Sequence, residues 1–192
     1  MAKKAAQRPK KRGESSRAPV GRVHLLAAMS LDGYIASPDG GYEWLEPYAD
    51  ARAGYGVFMK TIGSAVMGRT TYDKAVDQGH AEFGGIPTYV VTHRPLVPLS
   101  PDIIPYSGEL GQLVEELRER HPRDIWLMGG GILTNAFREA DLIDLWSIAV
   151  IPTVLGAGLP MFPPMTFGER RLRLVHTRKY PSGVVALGYE RR

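Results

Sequence analysis

The stretch DIWLMGGGILTNAFREA, residues 124–140, decides the fold. Its first five residues are a short apolar run that predicts a strand, and residues 132–140 have the composition of a helix. Three glycines between them let the backbone approach a ligand closely and adopt a positive φ. The helix directs free N–H groups and the positive end of its dipole at this turn, which suits a pyrophosphate. A plain strand-to-helix turn has the same pattern.

Two familiar nucleotide-binding patterns are excluded. The glycines run G-x-G-x-x-T, and apolar Ala149 and Val150 lie about 20 residues beyond Gly129, where a Rossmann fold has an acid for the ribose. No G-x-x-x-x-G-K-[ST] pattern of a phosphate-binding loop occurs anywhere in the chain.

Upstream, MGRTTY at residues 67–72 forms a second strand–turn–helix junction. SAVMG (64–68) predicts a strand and RTTYDKAV (69–76) a short helix. The junction offers backbone clearance, hydroxyls that cap a helix or bond a phosphate, and a bidentate guanidinium, from Gly68, Thr70 or Thr71, and Arg69. This segment therefore repeats the anion-binding features of the glycine turn.

A third junction follows the predicted strand PTYVVT (87–92), where Thr92, His93 and Arg94 form a polar, basic cluster. In an open α/β sheet all three junctions lie at the carboxyl ends of strands, which is where ligands bind. Two arginines and a hydroxyl near a ribose suit the extra 2′-phosphate of NADPH. Arg94 alone is more typical of a solvated loop than of a phosphate site.

The rest of the chain predicts an α/β domain over residues 21–192. RVHLLAAM (22–29) is a continuous apolar run, typical of a strand buried on both faces. Residues 109–120 have helical periodicity, and 47–62 form a weaker helix. The segments 171–180 and 183–191 predict an antiparallel hairpin. We therefore expect a mostly parallel sheet with helices on both faces and an antiparallel C-terminal edge.

Composition excludes several kinds of site. There is no cysteine, so disulfides and thiolate metal sites are absent, and no metal site is predicted. His24 has no partner at metal-ligand spacing and is expected to be a core or edge histidine. The sequence contains no run of about 18 apolar residues, so no membrane span is predicted. No apolar secretory segment is seen either, so a cytoplasmic location is expected.

The formal charge of +4 is unevenly distributed. Residues 1–20 carry seven Lys and Arg and one acid, so the remainder is slightly acidic. This basic tail has no apolar periodicity and is predicted to be disordered. A solvated extension is favoured over contact with nucleic acid, which such charge blocks also make.

The order of SLDG, VMGRTTY, YVVTHRP, IWLMGGGIL and LWSIAVIPTVLGAGLPMF, over about residues 22–190, resembles the dihydrofolate reductase-like superfamily. It is most similar to the branch of the riboflavin-biosynthesis reductase domain and stand-alone bacterial relatives. The resemblance implies the three-layer dihydrofolate reductase-like fold and an NADPH-dependent oxidoreductase. Its substrate would be a small heterocycle, of the dihydrofolate or the 5-amino-6-(5-phosphoribosylamino)uracil type. Relatives in this branch are commonly homodimers.

The resemblance also assigns a cofactor site. It places the adenosine phosphate end of NADPH on Gly68, Arg69, Thr70 and Thr71, with a second 2′-phosphate loop at Thr92, His93 and Arg94. It places the pyrophosphate on Gly129, Gly130, Gly131, Ile132 and Leu133. Ala28 matches the small residue beside the nicotinamide.

Two acids are candidate catalytic residues. Dihydrofolate reductase has an acid in its first long helix, for which Asp50 is nearest by position, with Glu43 or Glu46 as alternatives. Asp32 in SLDG matches a position close to nicotinamide and substrate, although Asp-Gly is also an ordinary turn. Leu26 and Tyr34 replace lysines usual in riboflavin reductases, which counts against a phosphoribosyl substrate. A module that binds NADPH without turnover is the alternative function.

Overall fold

A computed structural model describes residues 21–80, 83–164 and 168–192. The tail at 1–20, predicted to be disordered, lies outside the described residues. The strands are β1 (Val23–Ser30), β2 (Tyr34–Ala36), β3 (Ile62–Gly68), β4 (Thr88–Val91), β5 (Ile103–Tyr106), β6 (Asp124–Gly129), β7 (Leu145–Ile151), β8 (Leu159–Pro160), β9 (Leu172–Lys179) and β10 (Val185–Arg191). A 3-10 helix (Glu43–Gly54) precedes four α-helices: α1 (Tyr55–Thr61), α2 (Arg69–Asp77), α3 (Leu110–Arg120) and α4 (Gly131–Glu139).

Eight strands form one sheet in the order β5-β4-β3-β6-β1-β7-β10-β9. The pairs from β5 to β7 are parallel, whereas β10 pairs antiparallel with both β7 and β9. This arrangement confirms the expected α/β fold of the dihydrofolate reductase-like type, with a mostly parallel sheet and an antiparallel C-terminal hairpin. Strands β2 and β8 form a separate two-stranded sheet.

Helices cover both faces of the sheet, which explains the continuous apolar runs. Along β3, Val66 packs in the main core, whereas Ala65 and Met67 on the opposite face pack in two smaller clusters. The main core contains Leu113 of α3 and Phe137 of α4, both fully buried. Every residue of β3 before Gly68 is buried, so this strand does not alternate between apolar and polar residues as a half-exposed strand does.

Some elements differ from the prediction. Residues 47–62, predicted as one helix, are divided between the 3-10 helix and α1, and Ile62 already begins β3. Pro47 and Gly54 lie within the 3-10 helix. The connection after β4 contains β5, which is an edge strand and so accommodates Pro105.

The carboxyl ends of the parallel strands bring distant segments to one edge of the sheet. From β5 to β7 they are the turns after Tyr106, Val91, Gly68, Gly129, Ser30 and Ile151. All three junctions singled out in the sequence lie on this edge, hereafter the carboxyl edge. None of the helices in the described ranges combines the length and apolar character of a membrane span.

Candidate functional site

The glycine turn between β6 and α4 requires glycine at each position, for two different reasons. Gly129 has φ +92° and Gly130 has φ +58° with ψ 147°, conformations that side chains rarely adopt. Gly131 has an ordinary φ, but a Cβ there would lie 2.5 Å from the carbonyl oxygen of Pro160. The first two glycines therefore shape the turn, and the third lets the β8 segment pack against it.

Thr71 links the glycine turn to the MGRTTY segment. Its hydroxyl donates to the carbonyl oxygen of Gly129 over 3.3 Å. A Cβ on Gly130 would approach the same hydroxyl to 2.9 Å. Strands β3 and β6 are parallel neighbours, so the starts of α2 and α4 lie side by side at the carboxyl edge. Two helix N-termini thus direct free N–H groups at one place.

Two arginines at the next junctions share one carboxylate. The Nε of Arg69 lies 2.7 Å from Oδ1 of Asp73, and Nη2 of Arg94 lies 3.4 Å from Oδ2. Arg69 also donates through Nη1 to the carbonyl oxygen of Pro95 over 2.8 Å. The side chain of Arg69 is 22% exposed and that of Arg94 is 64% exposed. The predicted basic pair is therefore brought together, and Asp73 is a member that sequence reasoning missed.

A groove of about 380 Å³ runs along the ends of β4 and β5. Its lining includes Thr92, His93, Arg94, Pro95, Tyr106 and Ser107. The hydroxyl of Thr92 accepts the backbone N–H of Arg94 at 3.0 Å, which shapes the loop after β4. His93 and Arg94 are exposed, so the groove has a basic, open rim beside the Arg69 guanidinium.

The remaining predicted cofactor residues lie along the same edge. Ala28 is in the last part of β1 and pairs with Ala149 of β7. Thr70 is exposed in the first turn of α2. In the first turn of α4, Ile132 is 85% exposed, whereas Leu133 is buried in the main core.

Asp32 anchors the loop that follows β7. Its carboxylate accepts the Ser30 hydroxyl at 2.6 Å and the backbone N–H groups of Gly156 and Leu155 at 2.7 and 3.1 Å. The Ser30 hydrogen bond, with help from these N–H groups, lowers the pKa of Asp32 below its ordinary value. The side chain is consequently an ionised acceptor that joins two loops at the carboxyl edge.

Asp50 also contacts a distant turn, but it differs from Asp32 because its Oδ1 is buried without a hydrogen-bond partner among the described residues. It lies in the 3-10 helix and accepts the backbone N–H of Ser182, in the β9–β10 turn, at 3.0 Å. The Ser182 hydroxyl and backbone N–H beside the carboxylate lower the pKa of Asp50. The alternatives Glu43 and Glu46 are both exposed on the same helix. Tyr48 reaches the loop after β7 instead, because its hydroxyl lies 2.8 Å from Oγ1 of Thr153.

The missed residues differ in how much signal the sequence contains. Asp73 follows Arg69 by four residues in a predicted helix, a spacing that predicts an ion pair. The Asp32 contacts cross 124 residues to Gly156, and no local pattern marks that partner.

The fold and the carboxyl edge together define the class of dihydrofolate reductase-like α/β proteins. Within that class, residues 22–186 match the model of the RibD C-terminal domain, and the chain belongs to that family. A related protein is YwjB of Bacillus subtilis (strain 168), 33% identical over 162 residues, which are 83% of this chain and 92% of YwjB.

Solved structures agree with this assignment. A crystal structure from Shewanella sp. PV-4, of a protein attributed to riboflavin biosynthesis, has 25% identity and a TM-score of 0.80, covering 89% of this chain and 99% of that one. Dihydrofolate reductase from Enterococcus faecalis, complexed with NADP(H), has a TM-score of 0.66 over 90% of this chain and 98% of its own. At 16% identity, the latter shows a shared fold alone.

Proposed function

We propose that this protein is an NADPH-dependent reductase that transfers hydride to a C=N or C=O group of a small heterocycle. The observation that carries the proposal is the convergence of three anion-binding junctions on one edge of the sheet. Membership of the RibD C-terminal domain family supports reductase chemistry. The same fold occurs in a dihydrofolate reductase complexed with NADP(H).

The residues at the carboxyl edge fit the cofactor. At Gly130 there is no side chain to cover the backbone, and a Cβ would collide with the Thr71 hydroxyl, so a pyrophosphate could approach the bare backbone of the turn. The adenosine phosphate end would be held by Gly68, Arg69, Thr70 and Thr71. The 2′-phosphate would be bound by Thr92, His93 and Arg94. Ile132 and Leu133 would flank the pyrophosphate, and Ala28 would leave room for the nicotinamide. NADPH itself supplies the hydride.

In this proposal the two acids would hold the loops around the substrate rather than protonate it. A general acid at neutral pH needs a raised pKa, whereas hydrogen bonding lowers the pKa of both Asp32 and Asp50. In this proposal Asp32 fixes the loop after β7 beside the nicotinamide, and Asp50 fixes the β9–β10 turn. Leu26 and Tyr34 provide no cation for a substrate phosphate, which favours an unphosphorylated heterocycle.

The same pKa observation favours a second candidate function, a module that binds NADPH without turnover. The two candidates share the cofactor site and differ in activity. Continuous loss of NADPH absorbance with dihydrofolate or 5-amino-6-(5-phosphoribosylamino)uracil would exclude the binding module. Binding without consumption of any pterin or pyrimidine would favour it.

Fluorescence titration with NADPH and NADH tests the cofactor assignment. We expect tighter binding of NADPH, and we expect Arg69→Ala to narrow this preference because a 2′-phosphate would lose a guanidinium. Arg120→Ala is the matched control, since Arg120 lies at the C-terminal end of α3 and pairs with Glu116. Equal affinity of the wild-type protein for both nucleotides would contradict the proposal.

We also propose that the protein acts as a homodimer, following the family resemblance. Light scattering coupled to size exclusion measures this directly. Twice the mass of the chain is expected, and a single-chain mass at micromolar concentration would refute the dimer.

A further inference from the structure

Asp73 occupies a position between the two arginines of the carboxyl edge. It lies one helical turn after Arg69 in α2, and its two carboxylate oxygens are divided between two partners. Oδ1 accepts from Arg69 at 2.7 Å, and Oδ2 faces Arg94 at 3.4 Å. One carboxylate therefore holds two guanidinium groups from different junctions near each other.

Arg69 extends this arrangement to the loop after β4. Its Nη1 donates to the carbonyl oxygen of Pro95, the residue that follows Arg94. Helix α2 and this loop are thus connected through both a side chain and a backbone contact. The connection limits the freedom of Arg94, whose side chain is otherwise largely in solvent.

Most of the guanidinium donors stay available in this arrangement. A guanidinium has five N–H donors. Among the described contacts, Arg69 uses one to Asp73 and one to Pro95, and Arg94 uses one to Asp73. The three side chains together carry a net charge of +1. An anion can therefore bind the remaining donors without breaking the contacts to Asp73.

We infer that Asp73 is a positioning residue that sets the preference for NADPH over NADH by holding Arg69 and Arg94 ready for the 2′-phosphate. The inference rests on the proposed cofactor. A free arginine side chain loses rotamer freedom when it binds a phosphate, and earlier pairing reduces that loss. The carboxylate also repels the phosphate, so its removal has two opposing effects. Positioning dominates, because two cations already neutralise the carboxylate.

Asp73→Asn tests the inference, with dissociation constants for NADPH and NADH measured by fluorescence. We expect the constant for NADPH to rise about threefold to tenfold, the range that corresponds to ordering one or two long side chains. The constant for NADH should stay unchanged, since NADH has no 2′-phosphate. Asp73→Glu should restore part of the preference, because it retains a carboxylate within reach.

Asp77→Asn is the matched control for charge. Asp77 ends the same helix and is exposed, so its substitution removes the same charge without removing a contact to either arginine. It should leave the NADPH preference in place. The melting temperature of each variant shows whether a loss of binding follows from loss of folding.

The outcomes separate the two proposals. If the wild-type protein does not prefer NADPH, the proposed function and this inference both fail. If the wild-type protein prefers NADPH and Asp73→Asn leaves the preference unchanged, only the inference fails. Tighter NADPH binding by Asp73→Asn would show that the carboxylate acts by repulsion, which also overturns the inference.

Discussion

The hydroxyl of Thr71 lies 3.3 Å from the carbonyl oxygen of Gly129, and this contact joins the start of α2 to the glycine turn. Its two residues are 58 positions apart in the chain and belong to the two glycine-containing segments. A hydrogen bond of this length is weak, but it fixes the rotamer of a side chain beside two helix N-termini. The orientation of Thr71 consequently depends on the conformation of the glycine turn.

Two substitutions of Thr71 should show whether its hydroxyl contributes to NADPH binding. Thr71→Val keeps the shape and removes the hydroxyl, whose single hydrogen would pass from the Gly129 carbonyl to a phosphate oxygen when NADPH binds. We therefore expect NADPH to bind about fivefold to tenfold more weakly, a loss of one hydrogen bond. Thr71→Ser retains the hydroxyl and should bind nearly as well as the wild type. Isothermal titration measures both affinities.

The control for Thr71 is Thr61→Val. Thr61 also donates to a carbonyl oxygen, that of Phe58 at 2.7 Å, but it ends α1 at the start of β3, away from the carboxyl edge. Unchanged NADPH affinity is expected for this variant. A loss equal to that of Thr71→Val would mean that the effect is general destabilisation.

Gly130→Ala should damage both folding and binding. The conformation of Gly130 is essentially restricted to glycine, and the new Cβ would lie 2.9 Å from the Thr71 hydroxyl. We expect the free energy of unfolding to fall by about 1–3 kcal/mol. Gly111→Ala, in α3 with open space around the Cβ position, should be neutral or slightly stabilising. Urea denaturation compares the stability of the two variants, and equal stability would contradict the expected backbone strain at Gly130.

Much of the sheet is predictable from the sequence because its central strands are buried on both faces. Continuous apolar runs identified β1, β3, β4 and β6, and the glycines after β3 and β6 located turns. Strand β5 was missed since Pro105 interrupts its pattern, and only its place at the edge of the sheet permits it. The 3-10 helix has no buried residue and thus no periodicity to detect.

The candidate site also has a part that could be predicted from the sequence and a part that could not. Glycines, threonines and arginines at strand ends could be identified because each lies next to an apolar run. The part played by Asp32 could not, since its acceptor geometry depends on N–H groups more than 120 residues away. Asp50 likewise contacts Ser182 across 132 residues. The sequence shows that these carboxylates are present, but only the tertiary structure shows which N–H and O–H groups lie against them.

Asp32→Asn should release the loop after β7. The carboxylate accepts the N–H groups of Leu155 and Gly156, and an amide presents one acceptor oxygen in place of two. We expect faster hydrogen exchange at these two amides at neutral pH. Asp39→Asn is the control, because Asp39 serves a local turn with Ser37 and Gly41. Unchanged exchange at Leu155 and Gly156 in Asp32→Asn would contradict the anchoring role.

The pH dependence of this anchor follows from the direction of the pKa shift. The pKa of Asp32 is lower in the folded protein, mainly through the Ser30 hydroxyl, so folding favours the ionised carboxylate. Its contribution to stability is present above the ordinary value of 3.8 and is lost as pH falls through the lowered folded value. Protection of the loop amides should therefore persist throughout the neutral range and decline only in strong acid.

His24 should make the stability of the fold sensitive to acid at a higher pH than Asp32 does. Its ring packs against Phe58 with centroids 5.1 Å apart, and Nε2 lies 2.8 Å from the Ser147 hydroxyl. Burial lowers the pKa of His24 from 6.5 to about 4, with Arg22 and His176 adding to the shift and Asp124 opposing it. The folded state thus holds the ring neutral in a range where the unfolded chain is protonated.

The free energy of unfolding should accordingly fall as pH drops from about 6.5 towards 4, by up to about 3 kcal/mol from this group. Urea denaturation at about pH 7 and about pH 4.5 measures the loss. His24→Gln removes the titrating ring, so its stability should decline less between the two conditions. His80→Gln, at an exposed position, should follow the wild type. If His24→Gln declines as steeply as the wild type, the buried histidine is not the source of the acid sensitivity.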